Sequence, residues 1–117
     1  MNDTRRAPRR KVRYPILVSD AMTGETIGRL GNISETGMLL VSTTALAEDA
    51  LYQLQFKLDN GTGREVRIDV GAHVQWVGTA NTPGQAWMGL RFLTVSEPHA
   101  TLLRQWMATL EELPGWP

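Results

Sequence analysis

The chain has 117 residues, of which 42% are hydrophobic, so it is long enough to bury one globular core and too short for two. It contains no cysteine, which excludes disulfides, thiolate metal sites and cysteine nucleophiles. No apolar run approaches the roughly 18 residues of a membrane span or follows the plan of a signal peptide, so we expect a cytoplasmic location and no membrane insertion.

The formal net charge of zero conceals an uneven distribution of charge along the chain. Six of the twelve Lys and Arg residues lie within the first thirteen positions, where Asp3 is the single acidic residue. The remainder is acidic on balance, so it repels a nucleic-acid backbone while the N-terminal segment attracts anions. Residues 1–11 contain few apolar side chains, and we therefore predict a flexible basic arm there. This layout suits a compact anionic ligand better than a long duplex.

Residues 12–95 predict an all-β domain. The first strand is predicted over 12–18, where Pro15 marks a sheet edge or the start of the strand. Further continuous or alternating apolar runs lie at 26–30, 38–41, 52–58, 66–76 and 86–93. Roughly six strands at such short spacing imply a closed or nearly closed antiparallel barrel.

The strand over 66–76 has the clearest alternation of apolar and polar residues. One face carries only apolar side chains, namely Val66, Ile68, Val70, Ala72, Val74 and Trp76. This pattern predicts a long strand with one buried face. Because Trp76 shares that face with five core candidates, core packing is the favoured interpretation, and contact with a ligand is the alternative.

A C-terminal helix is predicted over 96–113. Ser96 is a suitable N-cap and Pro98 suits the first turn. Apolar residues then recur at helical spacing until Pro and Gly at 114–115, namely Leu102, Leu103, Trp106, Leu110 and Leu113. The helix should therefore pack one apolar stripe against the barrel.

Two short polar clusters carry the functional signal. The first is the arginine-rich arm, with Arg5, Arg6, Arg9 and Arg10; the second is an Asn/Ser/Gly turn, with Asn32, Ser34 and Gly37. Guanidinium groups bind phosphate oxygens and guanine edges through paired hydrogen bonds, whereas the turn offers small polar groups and close backbone approach. Together the clusters suggest a guanine-nucleotide site.

These residues resemble the two motifs of the PilZ domain family, bacterial receptor modules for the second messenger cyclic di-GMP. Arg6 and Arg10 match the family's Arg-x-x-x-Arg motif, and Arg5 with Arg9 match it in a shifted alignment. The second motif, Asp or Asn-x-Ser-x-x-Gly, is matched by Asn32, Ser34 and Gly37. Trp76 near the end of the long strand, and a final strand of the Gly-Leu-Arg-Phe type at 89–92, are similar to later family features.

The resemblance implies a PilZ-type barrel of six antiparallel strands with a C-terminal helix and a flexible N-terminal arm. It implies binding of cyclic di-GMP by Arg5, Arg6, Arg9 and Arg10 together with the second motif, and a conformational change that signals to a downstream protein controlling motility, pili or exopolysaccharide. An arginine at position 5 is associated in the family with an intercalated pair of ligands, which implies two cyclic di-GMP molecules per site. Asn32 keeps a carbonyl acceptor but lacks the charge of the commoner Asp.

Other classes of function have less support from the sequence. Ser34 lacks a Gly-x-Ser-x-Gly elbow and a surrounding His/Asp set, and no glycine-rich phosphate loop occurs, so we expect neither an enzyme nor a cofactor. The two histidines are far apart, and no metal site is expected. Two alternatives remain: a barrel that binds nucleic acid through the basic arm, or a PilZ-like adaptor that acts through protein contacts without a ligand.

Overall fold

The structure, a computed structural model, describes residues 8–43 and 46–113. Within these residues the chain forms seven strands and one helix. The strands are β1 (Arg10–Lys11), β2 (Leu17–Asp20), β3 (Thr26–Ile33), β4 (Gly37–Ser42), β5 (Leu51–Asp59), β6 (Glu65–Thr79) and β7 (Ala86–Val95), and the helix is α1 (Glu97–Met107).

Strands β2 to β7 close into an antiparallel barrel. Their order is β3-β2-β5-β6-β7-β4, and β4 pairs back with β3 to complete the ring. The short strand β1 is additional to the barrel: it pairs with the C-terminal end of β3, whereas β2 pairs with the N-terminal part of β3. The predicted six-stranded barrel with a C-terminal helix is confirmed.

The first predicted strand, 12–18, is wrong in its bounds. The structure divides this region into β1 and β2, and neither strand includes residues 12–16. Pro15 has no N–H to offer a sheet partner, and the chain bends just before it, at Arg13 and Tyr14. Ile16 nevertheless stays buried, and its carbonyl oxygen accepts a hydrogen bond of 2.9 Å from the N–H of Leu30. The bend allows β1 and β2 to line the same side of β3 at different heights.

The core lies inside the barrel and under the helix. The alternating strands β5 and β6 each direct one face inward, as their apolar pattern predicts. The buried side chains from these two strands are Leu54, Phe56, Leu58, Ile68, Val70, Ala72 and Val74. Helix α1 adds Leu103, Trp106 and Met107 to the same cluster.

Helix α1 is shorter than the predicted helical segment 96–113. Ser96 occupies the N-cap position, but its side chain makes no capping hydrogen bond. The helix ends at Met107, and residues 111–113 instead run beside β1. The Lys11 N–H donates to the Glu111 carbonyl, and the Leu113 N–H donates to the Arg9 carbonyl, both at 2.9 Å. Backbone groups that pair with β1 in this way cannot continue the helix.

Among the residues described, α1 is the only helix, and no helix there has the length and apolar character needed to cross a lipid bilayer.

Candidate functional site

The pairing of β1 with β3 brings the two polar clusters together. Arg10 lies opposite Ile33 and Lys11 lies opposite Asn32 in the antiparallel register. Arg9 Nη1 donates to Asn32 Oδ1 over a long 3.5 Å. Asn32 follows Arg10 by 22 residues in the sequence, yet the end of the arm and the start of the second motif are neighbours in space.

A β-bulge in β3 aims Asn32 toward the arm. The register between β3 and β4 shifts between Leu30 and Asn32, so Gly31 is an extra residue. Leu30 and Ile33 both belong to the core, although they are three residues apart. Asn32 therefore faces away from the core, and it is nevertheless only 5% exposed. Its placement follows from the bulge.

The second motif forms the tight connection between β3 and β4. The Ser34 N–H donates to the Gly37 carbonyl at 2.9 Å. The Ser34 hydroxyl is buried and accepts a hydrogen bond of 3.3 Å from the Thr36 N–H. It also lies 3.3 Å from the Thr36 hydroxyl. Ser34 thus stabilises the turn itself, and Glu35 and Thr36 are exposed at its tip. Direct contact between Ser34 and a ligand stays a prediction.

Gly37 is required by the close approach of β7. It pairs with Arg91, and a Cβ at position 37 would overlap the carbonyl oxygen of Leu90. The same pairing places Arg91, an exposed residue, directly beside the turn. Among the described residues no hydrogen bond or ion pair engages its guanidinium. Arg91 is a site-adjacent cation that the sequence interpretation missed, because it lies inside an otherwise ordinary strand.

Arg10 is bound by the C-terminal segment rather than by the second motif. Its Nη1 donates to the Leu110 carbonyl at 3.2 Å, and its Nη2 lies 3.7 Å from Glu112 Oε2. Residues 10 and 112 also form a single antiparallel bridge. The two neighbouring arginines therefore have different partners: Arg9 contacts Asn32, whereas Arg10 contacts Leu110 and Glu112 in the segment after α1.

A small cavity of about 150 Å³ lies between the arm, the turn and the end of α1. Its lining includes Arg10, Glu35 and Arg104, three charged side chains from three separate parts of the chain. Pro8, Met107 and Ala108 complete the wall. Depressions of about 400 and 470 Å³ lie elsewhere on the barrel, but none of the predicted binding residues lines them. The sequence also gave no sign that Glu35 and Arg104 line a common cavity, because only the fold brings them together.

Trp76 lies on the outer wall, and its favoured assignment to the core is wrong. The register between β6 and β7 shifts between Val74 and Trp76, which adds Gln75 as a bulge and reverses the alternation. Val74 stays buried, Trp76 is 45% exposed, and Val77 packs against the core instead. The indole covers Gly89, where a Cβ would overlap its Nε1. The second interpretation, contact with a ligand, is compatible with this position.

Arg5 and Arg6 lie outside the described residues, as does most of the predicted arm 1–11. Of that arm, Arg10 and Lys11 form β1 and therefore belong to the sheet. Across 8–43 and 46–113, no group of three or more His, Asp or Glu side chains is arranged to hold a metal ion.

Comparison with known proteins places this arrangement in a family. Residues 3–109 match the family model described as PilZ domain. Among solved structures, the chain is similar to the inhibitor of motility MotI/DgrA of Bacillus subtilis, with 17% identity and a TM-score of 0.71. It is similar to the PilZ domain of YcgR from Escherichia coli, solved with c-di-GMP, with 20% identity and a TM-score of 0.66. MrkH, a c-di-GMP-dependent transcription regulatory factor, matches with 19% identity and a TM-score of 0.65.

These matches differ in how much of each protein they span. The alignment covers 90% of this chain and 50% of the Bacillus inhibitor, and the same shares for MrkH. For the isolated YcgR domain it covers 92% of both chains. The chain therefore corresponds to about half of the longer proteins and to nearly all of a single domain. A search of curated protein sequences gives no significant match.

Proposed function

Because the chain belongs to the PilZ domain family, we propose that it is a receptor that binds cyclic di-GMP between its N-terminal arm and the turn of the second motif. PilZ domains are receptors for this dinucleotide and are not enzymes, so the expectation of a non-enzymatic protein is confirmed. Cyclic di-GMP is the ligand of the family and not a cofactor. A cytoplasmic location stays a prediction.

The observation that carries the proposal is the β1–β3 pairing. It places the backbone of Arg10 opposite Ile33, and the Arg9 guanidinium lies 3.5 Å from Asn32 Oδ1. A ligand with two phosphates and two guanines needs planar cations for the phosphates and for the O6/N7 edges, and these arginines supply them. Trp76, exposed on the outer wall, offers an indole face for stacking a base.

Arg5 and Arg6 extend the same set of cations toward the N-terminus. With Arg6 and Arg10 as the Arg-x-x-x-Arg pair, and Arg5 directly before it, we expect two intercalated cyclic di-GMP molecules per site. Arg91 adds a cation beside Gly37 on the barrel wall. The arm and the wall thus meet the ligand from opposite sides.

We infer that the ligand signals to a downstream protein through Arg10, and the present contacts of Arg10 support this. Its guanidinium contacts Leu110 and Glu112 in the segment after α1. A ligand that attracts this guanidinium releases the contacts with Glu112 and Leu110, and the surface formed by 110–113 changes. A partner that distinguishes the two surfaces would sense the ligand.

Isothermal titration calorimetry with cyclic di-GMP tests the proposal. A charge-assisted hydrogen bond contributes roughly 1.5–3 kcal/mol, so Arg6→Ala and Arg10→Ala should each weaken binding by about tenfold to a hundredfold or more. Arg67→Ala is the matched control, since Arg67 is exposed on β6 and lines the depression of about 400 Å³, which none of the predicted binding residues lines.

The controls on the ligand separate the alternatives. Cyclic di-AMP should not compete, whereas binding that ignores the base and collapses with added salt would indicate a nucleic-acid barrel. Saturation at two ligands per chain is expected, and saturation at one would contradict the intercalated pair. No heat with an excess of cyclic di-GMP would refute the receptor role and favour the ligand-independent adaptor.

A further inference from the structure

The barrel wall is unpaired along part of the boundary between β2 and β5. These strands form two residue pairs, and the pairing ends at Ser19 opposite Gln55. Beyond that point both strands continue, over 17–18 and 56–59, without pairing with each other. In the part of the chain that the structure describes, no other strand lies between them. We call these two facing stretches the seam, and an unpaired strand edge of this kind can accept a further strand.

The backbone of Lys57 directs its N–H and carbonyl groups into the seam. In an antiparallel pair, the residues that exchange hydrogen bonds across it recur at every second position. The Ala21 N–H donates to the Gln53 carbonyl at 2.8 Å, so Gln55 and Lys57 direct their backbone groups to the same side of β5. Gln55 pairs there with Ser19, whereas Lys57 has no strand partner on that side. Because β5 is paired with β6 along its whole length, it forms a firm template with one open edge.

A depression of about 400 Å³ lies at the seam and is lined from both of its sides. The lining includes Ile16 and Phe56, which belong to the core, and the exposed side chains of Tyr14 and Leu17. An added strand turns every second side chain to the same face, so one of its faces would meet this apolar surface. The depression therefore offers side-chain contacts next to the open backbone of β5.

Two cations line the same depression. Lys57 and Arg67 are exposed and lie directly opposite each other in β5 and β6. Like charges in this position repel each other and destabilise a sheet. Asp69 Oδ1 lies 3.4 Å from Arg67 Nε, but among the described residues no hydrogen bond or ion pair engages the Lys57 ammonium. A carboxylate supplied by a ligand would relieve this repulsion.

The chemistry of the depression favours a peptide over a nucleic acid. Glu65 also lines it, and its charge repels a phosphate backbone. A nucleic-acid strand also lacks the regular N–H and carbonyl groups that complete a β-ladder, whereas an extended peptide has both. Acidic side chains on one face of such a peptide can reach Lys57 and Arg67, while apolar side chains on the other face pack near Ile16 and Phe56.

We propose that the seam binds an extended segment of a partner protein, with alternating acidic and apolar residues, as an added strand along β5. The backbone of Lys57 exchanges hydrogen bonds with this segment, and the side chains of Lys57 and Arg67 bind its carboxylates. None of the predicted nucleotide-binding residues lines the depression. The inference therefore goes beyond the proposed function and does not depend on cyclic di-GMP.

Amide hydrogen exchange of the free chain tests whether the edge is open. After correction for intrinsic rates, the Lys57 N–H should exchange about a hundredfold or more faster than the Gln55 N–H, which faces the same side but is paired with Ser19. Equal protection of the two amides would overturn the proposal. If light scattering then finds a dimer, the occupant of the seam is a second copy of the chain.

A fluorescein-labelled synthetic peptide, Ser-Val-Glu-Val-Asp-Val-Ser, tests the occupant by fluorescence polarisation. It should bind and slow the exchange of the Lys57 N–H. The same peptide with all backbone nitrogens methylated keeps its side chains but cannot complete a β-ladder, so it should bind about tenfold or more weakly. A peptide with Lys in place of Glu and Asp should lose binding to a similar extent.

Lys57→Glu tests the charge and keeps the backbone N–H. It should weaken binding of the acidic peptide about tenfold or more, and the melting temperature should not fall, because the like-charge pair with Arg67 is removed. Arg64→Glu is the matched control. It makes the same change of net charge at an exposed position in the β5–β6 connection that does not line the depression, and it should change binding less than about twofold.

The remaining outcomes would each overturn the proposal. Equal binding of the methylated peptide would exclude strand addition, and equal effects of Lys57→Glu and Arg64→Glu would exclude recognition by Lys57. Absence of binding at about 1 mM acidic peptide would refute the site. Protection of the Lys57 N–H by an oligothymidylate instead would assign the depression to nucleic acid. Each result stands whether or not the chain binds cyclic di-GMP, which calorimetry tests separately.

Discussion

Replacing Glu112 by Gln should strengthen the binding of cyclic di-GMP. Glu112 Oε2 lies 3.7 Å from Arg10 Nη2 and so competes for a guanidinium that the proposed ligand requires. The substitution removes the negative charge and keeps the size of the side chain. It leaves the second contact of Arg10, the hydrogen bond to the Leu110 carbonyl, in place.

The size of the gain follows from the exposure of the pair. The Arg10 side chain is 26% exposed, but that of Glu112 is 60% exposed, so water screens much of their attraction. Ion pairs of this exposed kind typically contribute about 0.2–1 kcal/mol. Without this ion pair, the binding of the Arg10 guanidinium to the ligand no longer costs that free energy. The difference corresponds to an increase in affinity of up to about fivefold.

Calorimetry at low and high salt measures this effect. The gain should be largest at about 0.05 M salt and smaller at about 0.5 M, because salt screens exposed charges over a shorter distance as its concentration rises. Glu111→Gln is the control: Glu111 is the exposed neighbour, and among the described residues no hydrogen bond or ion pair engages its carboxylate. Unchanged or weaker binding by Glu112→Gln, with Glu111→Gln unchanged, would show that Glu112 does not compete for Arg10.

Three further predictions concern the barrel. Gly37→Ala should destabilise the fold by about 1–3 kcal/mol in chemical denaturation, because the added Cβ meets the backbone of β7. Gly78→Ala is the control and should cost clearly less, because a Cβ there makes only ordinary contacts. Equal losses of stability would contradict the close approach at Gly37. Trp76→Ala should weaken cyclic di-GMP binding by about fivefold or more with little change in melting temperature, and a large loss of stability would instead restore a core role. Leu54→Ala should cost about 2–5 kcal/mol, and Leu51→Ala on the same strand should cost far less, since the first side chain is fully buried and the second is 68% exposed.

Local sequence patterns predicted the elements well where one face is buried and the strand is regular. The alternation in 52–58 and 66–74 identified the buried faces of β5 and β6 because a pleated strand turns every second side chain to the same side. The same rule gave the wrong face for Trp76. The register shift after Val74 inserts one residue on one strand only, and its location depends on how β6 is paired with β7.

The ends of elements also depended on partners distant in sequence. The apolar residues up to Leu113 have helical spacing, yet the backbone of 111–113 pairs with Arg9 and Lys11 near the other end of the chain. Pro15 marked the irregular place in the first strand, but only the pairing of β1 and β2 with different parts of β3 shows how the strand divides. Helical periodicity says nothing of such distant partners.

The sequence by itself determined that this is a single β-barrel domain with a C-terminal helix, and it supplied both motifs, because hydrophobic periodicity and residue chemistry are local properties. The tertiary structure decided which groups meet: Arg9 with Asn32, Arg10 with Glu112, and Glu35 with Arg104 around one cavity. These juxtapositions arise from strand register, bulges and barrel closure, which depend on contacts between residues far apart in the chain.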